Sequence, residues 1–210
     1  SRVSLDGRPV TLREAYFWTG RPSRSILVDM NDLAPRRRLI LDAALDMFTT
    51  SGYDATSVGD IARELGISKS AISYHFPKKE DLAEALANPY LDAVDGLLDR
   101  HPEPTWPSGA RALFTSYFEL LLEYRDLAIW VDTDRAVARH KRIAERRTEA
   151  VQRLVSALVG ETGASEDEAR AVAAVGGLWR PLRELDREFL HAHKAEIVDA
   201  ALVSFQPLEG

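Results

Sequence analysis

Residues 56–79 read TSVGDIARELGISKSAISYHFPKK, two short helical patterns divided by one glycine. Thr56 and Ser57 offer an N-cap, and Ser57-Val58-Gly59-Asp60 fits the hydroxyl-x-x-acid capping box. Val58, Ile61, Ala62 and Leu65 recur at i, i+3, i+4 and i+7, so they share one helical face. Gly66 follows the last of them, where helices stop on a left-handed residue. Ser68 then caps a second helix expected to run to about His75. Helix, tight turn and helix make the helix-turn-helix pattern. The second helix carries Ser68, Lys69, Ser70, Ser73, Tyr74 and His75 in place of core residues. Small donors let a helix backbone approach a DNA groove, while Lys, Tyr and His reach phosphates. A solvated helical hairpin satisfies the same pattern.

The upstream flank adds a third helix. Pro35-Arg36-Arg37-Arg38 leads into Ile40, Ala43, Ala44, Met47 and Phe48 at amphipathic spacing, with a stop at Ser51-Gly52. Three apolar faces that can meet make a minimal three-helix head. Downstream come Tyr74-His75-Phe76-Pro77-x-Lys79-x-x-Leu82. Together with Ala44-Leu45-Asp46-Met47-Phe48, Thr56-Ser57-Val58-x-Asp60-Ile61-Ala62 and Leu65-Gly66-Ile67-Ser68, this resembles the amino-terminal domain of TetR-family transcriptional regulators.

The resemblance implies residue roles. Thr56 and Ser57 match the start of the family's second helix, on phosphate. Lys69, Ser70 and Ala71 match the positions that face bases, with Ser68 and Ser73 beside them. His75 matches a histidine near the DNA backbone, and Lys79 a phosphate-contacting lysine. Two positions depart from the family. Ser73 stands where tyrosine is usual, with Tyr74 one place late, and Gly59 stands where arginine is frequent. Tyr74 and the Arg36–Arg38 cluster, Arg38 included, are the residues able to supply those contacts. His75 is equally readable as a packed, hydrogen-bonded histidine.

Composition sets outer bounds. The chain has 210 residues, 45% hydrophobic and 29% charged, an ordinary globular balance with room for a sizeable core. It has no cysteine, which excludes disulfides and thiolate metal sites. No apolar run suits a leader or a membrane span, so a cytoplasmic protein without membrane partners is expected. The net charge is −6, and the head from Arg36 to Ala87 holds seven basic and eight acidic residues. Any affinity for a polyanion must therefore come from how charge is distributed.

The chain divides into 1–33, 34–80 and 81–210. The first segment holds an aromatic patch at Tyr16-Phe17-Trp18. It reads either as a packing arm or as a lead ahead of a start at Met30. The second is the helix-turn-helix head. The third is helical throughout, so the fold class is all-α. Within it Asn88-Pro89 predicts a kink or break, and the prolines between His101 and Gly109 predict a loop. Ile143, Arg147, Ala150, Val151, Leu154 and Leu158 share one helical register. Ser165-x-x-Glu168 is a second capping box, Pro181 ends or kinks its helix, and a last helix runs from about Arg187 to Phe205.

No chemistry of catalysis stands out. His191 and His193 lie two apart and point to different sides of a helix, a poor metal pair. Gly-x-Ser-x-Gly, Gly-x-Gly-x-x-Gly and Walker patterns are all missing. Neither a catalytic residue nor a metal or other cofactor is expected. Phe114, Tyr117, Phe118, Trp130 and Trp179 line a cavity or fill a core, with His140 or Arg183 as polar anchors. The resemblance favours the cavity and a small apolar or amphipathic effector. It also implies a homodimer formed through the last two helices, rich in Ala and Gly, on a near-palindromic double-stranded operator. The expected function is a repressor released by its effector. The alternative is an all-helical ligand-binding or enzymatic module with a vestigial head.

Overall fold

A computed structural model describes residues 4–5, 8–9, 35–101, 108–159 and 165–205. Ten α-helices dominate them, beside a two-residue antiparallel ladder of β1 (Ser4–Leu5) and β2 (Arg8–Pro9). The aromatic patch at 16–18 lies outside the described residues.

Helix α1 (Pro35–Ser51) buries Ile40, Leu41, Ala44, Leu45 and Phe48, so its apolar face is turned slightly from the predicted one and Ala43 and Met47 sit at its edge. Gly52, at φ +90°, ends it. In α2 (Val58–Leu65) the capping box is complete. Ser57 Oγ accepts from Asp60 N–H at 3.1 Å, and the Asp60 carboxylate accepts from Ser57 N–H at 2.9 Å. Gly66 closes the helix at φ +64°, and the next N–H, of Ile67, reaches back to the Ala62 carbonyl at 3.0 Å. Helix α3 (Lys69–His75) starts from Ser68 Oγ, which accepts from Ala71 N–H at 3.2 Å.

Helix α4 (Lys79–Arg100) corrects one of the two alternatives expected at Asn88-Pro89, the break. Asn88-Pro89 does not break it: 22 residues run on as one helix, about 33 Å long. Proline removes one backbone donor, but Leu86, Ala87, Tyr90 and Leu91 are buried on either side of it and hold the helix in place. Asn88 caps nothing; its Oδ1 accepts from Arg146 at 3.0 Å.

The body comprises α5 (Ser108–Glu123), α6 (Arg125–Thr133), a 3-10 turn (Val137–Arg139), α7 (Lys141–Val159), α8 (Ser165–Glu184), α9 (Arg187–Ala192) and α10 (Lys194–Val203). Pro181 lies inside α8, which ends at Glu184. The predicted last helix is two segments meeting at His193, whose ring packs 4.2 Å from that of Phe189. The Ser165 side chain and residues 102–107 lie outside the described residues, so the second capping box and most of the proline loop do too. Helix α4 packs on α5, α6 and α7, and α8 packs on α7 and α10. Ion pairs clasp α4 to α7: Glu84 with Arg142, Asp92 and Asp95 with Arg146, and Asp95 and Asp99 with Arg153. Helix α6 touches both α1 and α4, so it stands between head and body.

Candidate nucleic-acid interface and effector cavity

Helix α3 is pinned from beneath by Ile72 and Phe76, both buried. Its outer side presents Ser68, Lys69 and Ser70, with Tyr74 at 85% exposure. Ser68 and Ser70 hydroxyls lie 2.9 Å apart. Ala71, Ser73 and His75 are half-buried, and the Tyr74 and His75 rings meet edge-on at 5.2 Å. Arg36 and Lys78 are exposed nearby. The Arg37 guanidinium lies 4.7 Å from the centre of the Phe76 ring, which ties the α1 start to the α3 end. Arg38 is half-buried, and its charge partly offsets the burial that raises the Asp42 carboxyl.

Three residues assigned to phosphate have their side chains engaged elsewhere. Thr56 is 2% exposed, and its hydroxyl donates to the carbonyls of Gly52 and Met47. The Lys79 ammonium donates to the Tyr53 carbonyl and sits 4.0 Å from that ring's centre. Ser57 is taken up by the capping box, whose hydrogen bonds, with one from Arg63, hold the Asp60 carboxyl down to about 2. The side chains of these residues build the head.

Behind the head lies a cavity of about 300 Å³. Leu91, Val94, Ala128, Val131 and Leu154 form its apolar walls, with the aromatic rings of Tyr90, Tyr117 and Trp179. Tyr117 hydroxyl is hydrogen-bonded with Tyr90 and Trp179; burial pushes Tyr117 up to about 12 and Tyr90 well up, so both are neutral phenols at neutral pH. The polar wall is Asp132, Arg147 and Thr148. Asp132 Oδ1 accepts from Arg147 at 3.1 Å and Oδ2 from Arg183 at 3.2 Å.

Tyr117 and Trp179 therefore line the cavity, and the other candidates do not. Phe114 and Phe118 are wholly buried in the core. Trp130 stacks on Phe48 of the head, with ring centres 5.7 Å apart and planes at 12°. His140 lies 3.7 Å from Glu84, between α4 and α7. For the two phenylalanines this follows from helix phase: α5 points its rings in several inward directions, and only that of Tyr117 meets the void. Tyr90, Asp132 and Arg147 escaped sequence reasoning as cavity residues. The signal was present for Arg147, a lone cation within the apolar register of α7.

Residues 40–86 match the family model of bacterial regulatory proteins, tetR family. That match covers the head whose caps, turn and exposed α3 are described above. That head is a TetR-family head. The chain is 37% identical over 93 residues to the uncharacterized HTH-type transcriptional regulator YuxN of Bacillus subtilis, covering 43% of this chain and 32% of that one. It is 33% identical over 107 residues to the HTH-type transcriptional repressor KstR2 of Mycolicibacterium smegmatis, covering 49% and 51%. The alignments thus span about a third to a half of these relatives' length. The TetR-family fold extends through the body. A TetR-family transcriptional regulator from Bordetella parapertussis superposes with a TM-score of 0.66 at 19% identity, covering 85% of this chain and 96% of that one. The ketosteroid transcriptional regulator KstR2 of Mycobacterium tuberculosis gives 0.61 at 20%, covering 80% and 96%.

Proposed function

We propose that this chain is a sequence-specific DNA-binding transcriptional regulator, a repressor released by a small apolar or amphipathic effector. The observation that carries this is α3: buried Ile72 and Phe76 fix it while Ser68, Lys69, Ser70 and Tyr74 stand clear of the protein. A vestigial head would have no need of a complete capping box, a left-handed glycine turn and a donor-rich open helix. Residues 34–80 serve as the DNA-binding unit and 81–210 as the effector and dimerisation unit. A cytoplasmic location follows from that role, and no helix among the described residues is long and apolar enough to cross a membrane.

Dimerisation is supported by the outer faces of α8 and α10. Gly177 packs against Ala201 within the chain, whereas Gly176 has nothing within 4 Å. Val172, Ala173, Ala200 and Val203 are exposed beside it, a small-residue apolar face suited to a second copy. Two copies place their recognition helices roughly 34–36 Å apart and read a near-palindromic operator. Release runs through α6. Its Ala128, Val131 and Asp132 face the cavity, and its Trp130, with Asp134 just beyond, holds the head. An effector must favour the released arrangement over the DNA-bound one to act this way.

The test is an electrophoretic shift with DNA from upstream of the protein's own gene, repeated across salt concentrations. Affinity should fall steeply as salt rises, with a log–log slope of about −0.9 per phosphate neutralised. Lys69→Ala should also change base preference within the site. A flat salt response, or no shift, sinks the reading.

A further inference from the structure

We propose that the cavity between α4, α6 and α7 takes a compact organic anion, an aromatic or alicyclic body bearing one carboxylate that seats on Arg147. This rests on the effector reading above and names its chemistry.

Charge points to an anion. One carboxylate, Asp132, faces two guanidinium groups, Arg147 at 3.1 Å and Arg183 at 3.2 Å, so the cluster is positive by one charge. Each Asp132 oxygen already accepts from an arginine, so a cation entering here meets two like charges before an unengaged carboxylate. The hydrogen bonds of Arg147 to the described residues run through Nη1, to the Asp132 side chain and, at 3.5 Å, its carbonyl. A guanidinium has five N–H donors in a planar fork, and the edge left over matches a carboxylate in bidentate geometry. Thr148 adds a hydroxyl on the same wall.

Size and shape point to a compact ligand with a ring. The void, about 300 Å³, lies at the small end of ligand cavities, which run to about 1,000 Å³. Tyr90, Tyr117 and Trp179 offer ring surfaces opposite the polar wall. Their polar atoms are tied to one another, and the phenols stay neutral, so they add no charge that repels an anion. A carboxylate drawing on Arg147 competes with Asp132 at the end of α6, two residues before the aspartate that holds the head.

The full chain should be titrated with phenylbutyrate, phenylbutanol and phenylbutylamine, which share a body and differ in head group. Intrinsic tryptophan fluorescence, to which the cavity-lining Trp179 contributes, reports occupancy, and release of bound operator DNA reports response. Phenylbutyrate should bind roughly ten- to a hundredfold tighter than the alcohol, the range of one charge-assisted hydrogen bond or more, and the amine weakest. Arg147→Gln should erase the preference, and Arg147→Lys should keep a reduced one because charge survives without the fork. Equal or tighter binding of the alcohol or amine, or no binding by any of the three, overturns the assignment; the wild-type titration decides this even where a variant fails to fold. An operator shift that persists in those cases leaves the regulator reading standing. Failure of the unliganded chain to hold DNA breaks that reading independently of the titration.

Discussion

Tyr117 stands where core and cavity meet, and its phenol gives the protein a pH dependence of definite sign. Burial pushes it up to about 12 in the folded chain, against about 10 in an unfolded one. Between those values the unfolded chain releases the proton and the folded chain keeps it. The unfolded state then binds fewer protons, so stability falls as pH rises. Tyr90 shifts the same way, and Tyr53 is also pushed up to about 12. Denaturant unfolding at stepped pH should show stability level to about pH 9 and declining between about 10 and 12, Tyr117 alone accounting for on the order of 2 kcal/mol. Tyr117→Phe should decline less steeply; an unchanged slope would remove Tyr117 from the account. Sequence shows that Tyr117 sits on an apolar face, but not how deep. Phe114 and Phe118 share that helix and end in solid core, because depth depends on the helices packed above them. Thr56 and Lys79 carry the same lesson: their positions in the head are legible from spacing, while the direction of each side chain is set by Gly52 and Tyr53.

At the scale of elements, legibility tracks how local the cause is. The α2–turn–α3 unit is written in neighbouring residues: Ser57 with Asp60, Gly66, and Ser68 with Ala71. All of it is readable without a structure. Continuity of α4 through Pro89 is not, since it depends on buried residues contacting α5, α6 and α7. Gly66 allows the local logic to be measured. Its φ is +64°, and a Cβ there would meet nothing within 4 Å. Gly66→Ala therefore carries backbone strain alone, about 1–2 kcal/mol, with no clash to relieve. For a chain of this size that corresponds to a melting temperature lower by roughly 2–8 °C. A second change, Gly66→Asn, should recover part of the loss, because asparagine tolerates the left-handed region better. Equal melting of the Ala variant and the parent would show that the turn relaxes to another conformation.

Over the whole molecule, the question is what makes head and body move together. Three contacts meet at one place. Phe48 of α1 stacks on Trp130 of α6, Asp134 Oδ2 accepts from Tyr53 N–H at 2.8 Å, and Lys79 of α4 donates to the Tyr53 carbonyl. Asp134 Oδ1 also accepts from Ala136 and Val137 N–H, so one carboxylate fastens the head and shapes the turn after α6. Asp134→Ala leaves these donors unsatisfied, at a cost of about 1–3 kcal/mol. The loss falls on the joint and not on either core. Hydrogen exchange should therefore quicken at amides of α1 to α3 while α5 and α8 stay protected. On the proposed function, operator affinity and its response to effector should weaken together. Trp130→Phe is the companion test. The indole Nε1 has no hydrogen-bond partner among the described residues, so phenylalanine keeps the stack and removes a buried, unpaired donor. That variant should match the parent in head exchange and in effector response. If Asp134→Ala leaves head exchange unchanged, or if Trp130→Phe loosens the head as much as Asp134→Ala does, the joint is not where head and body are coupled.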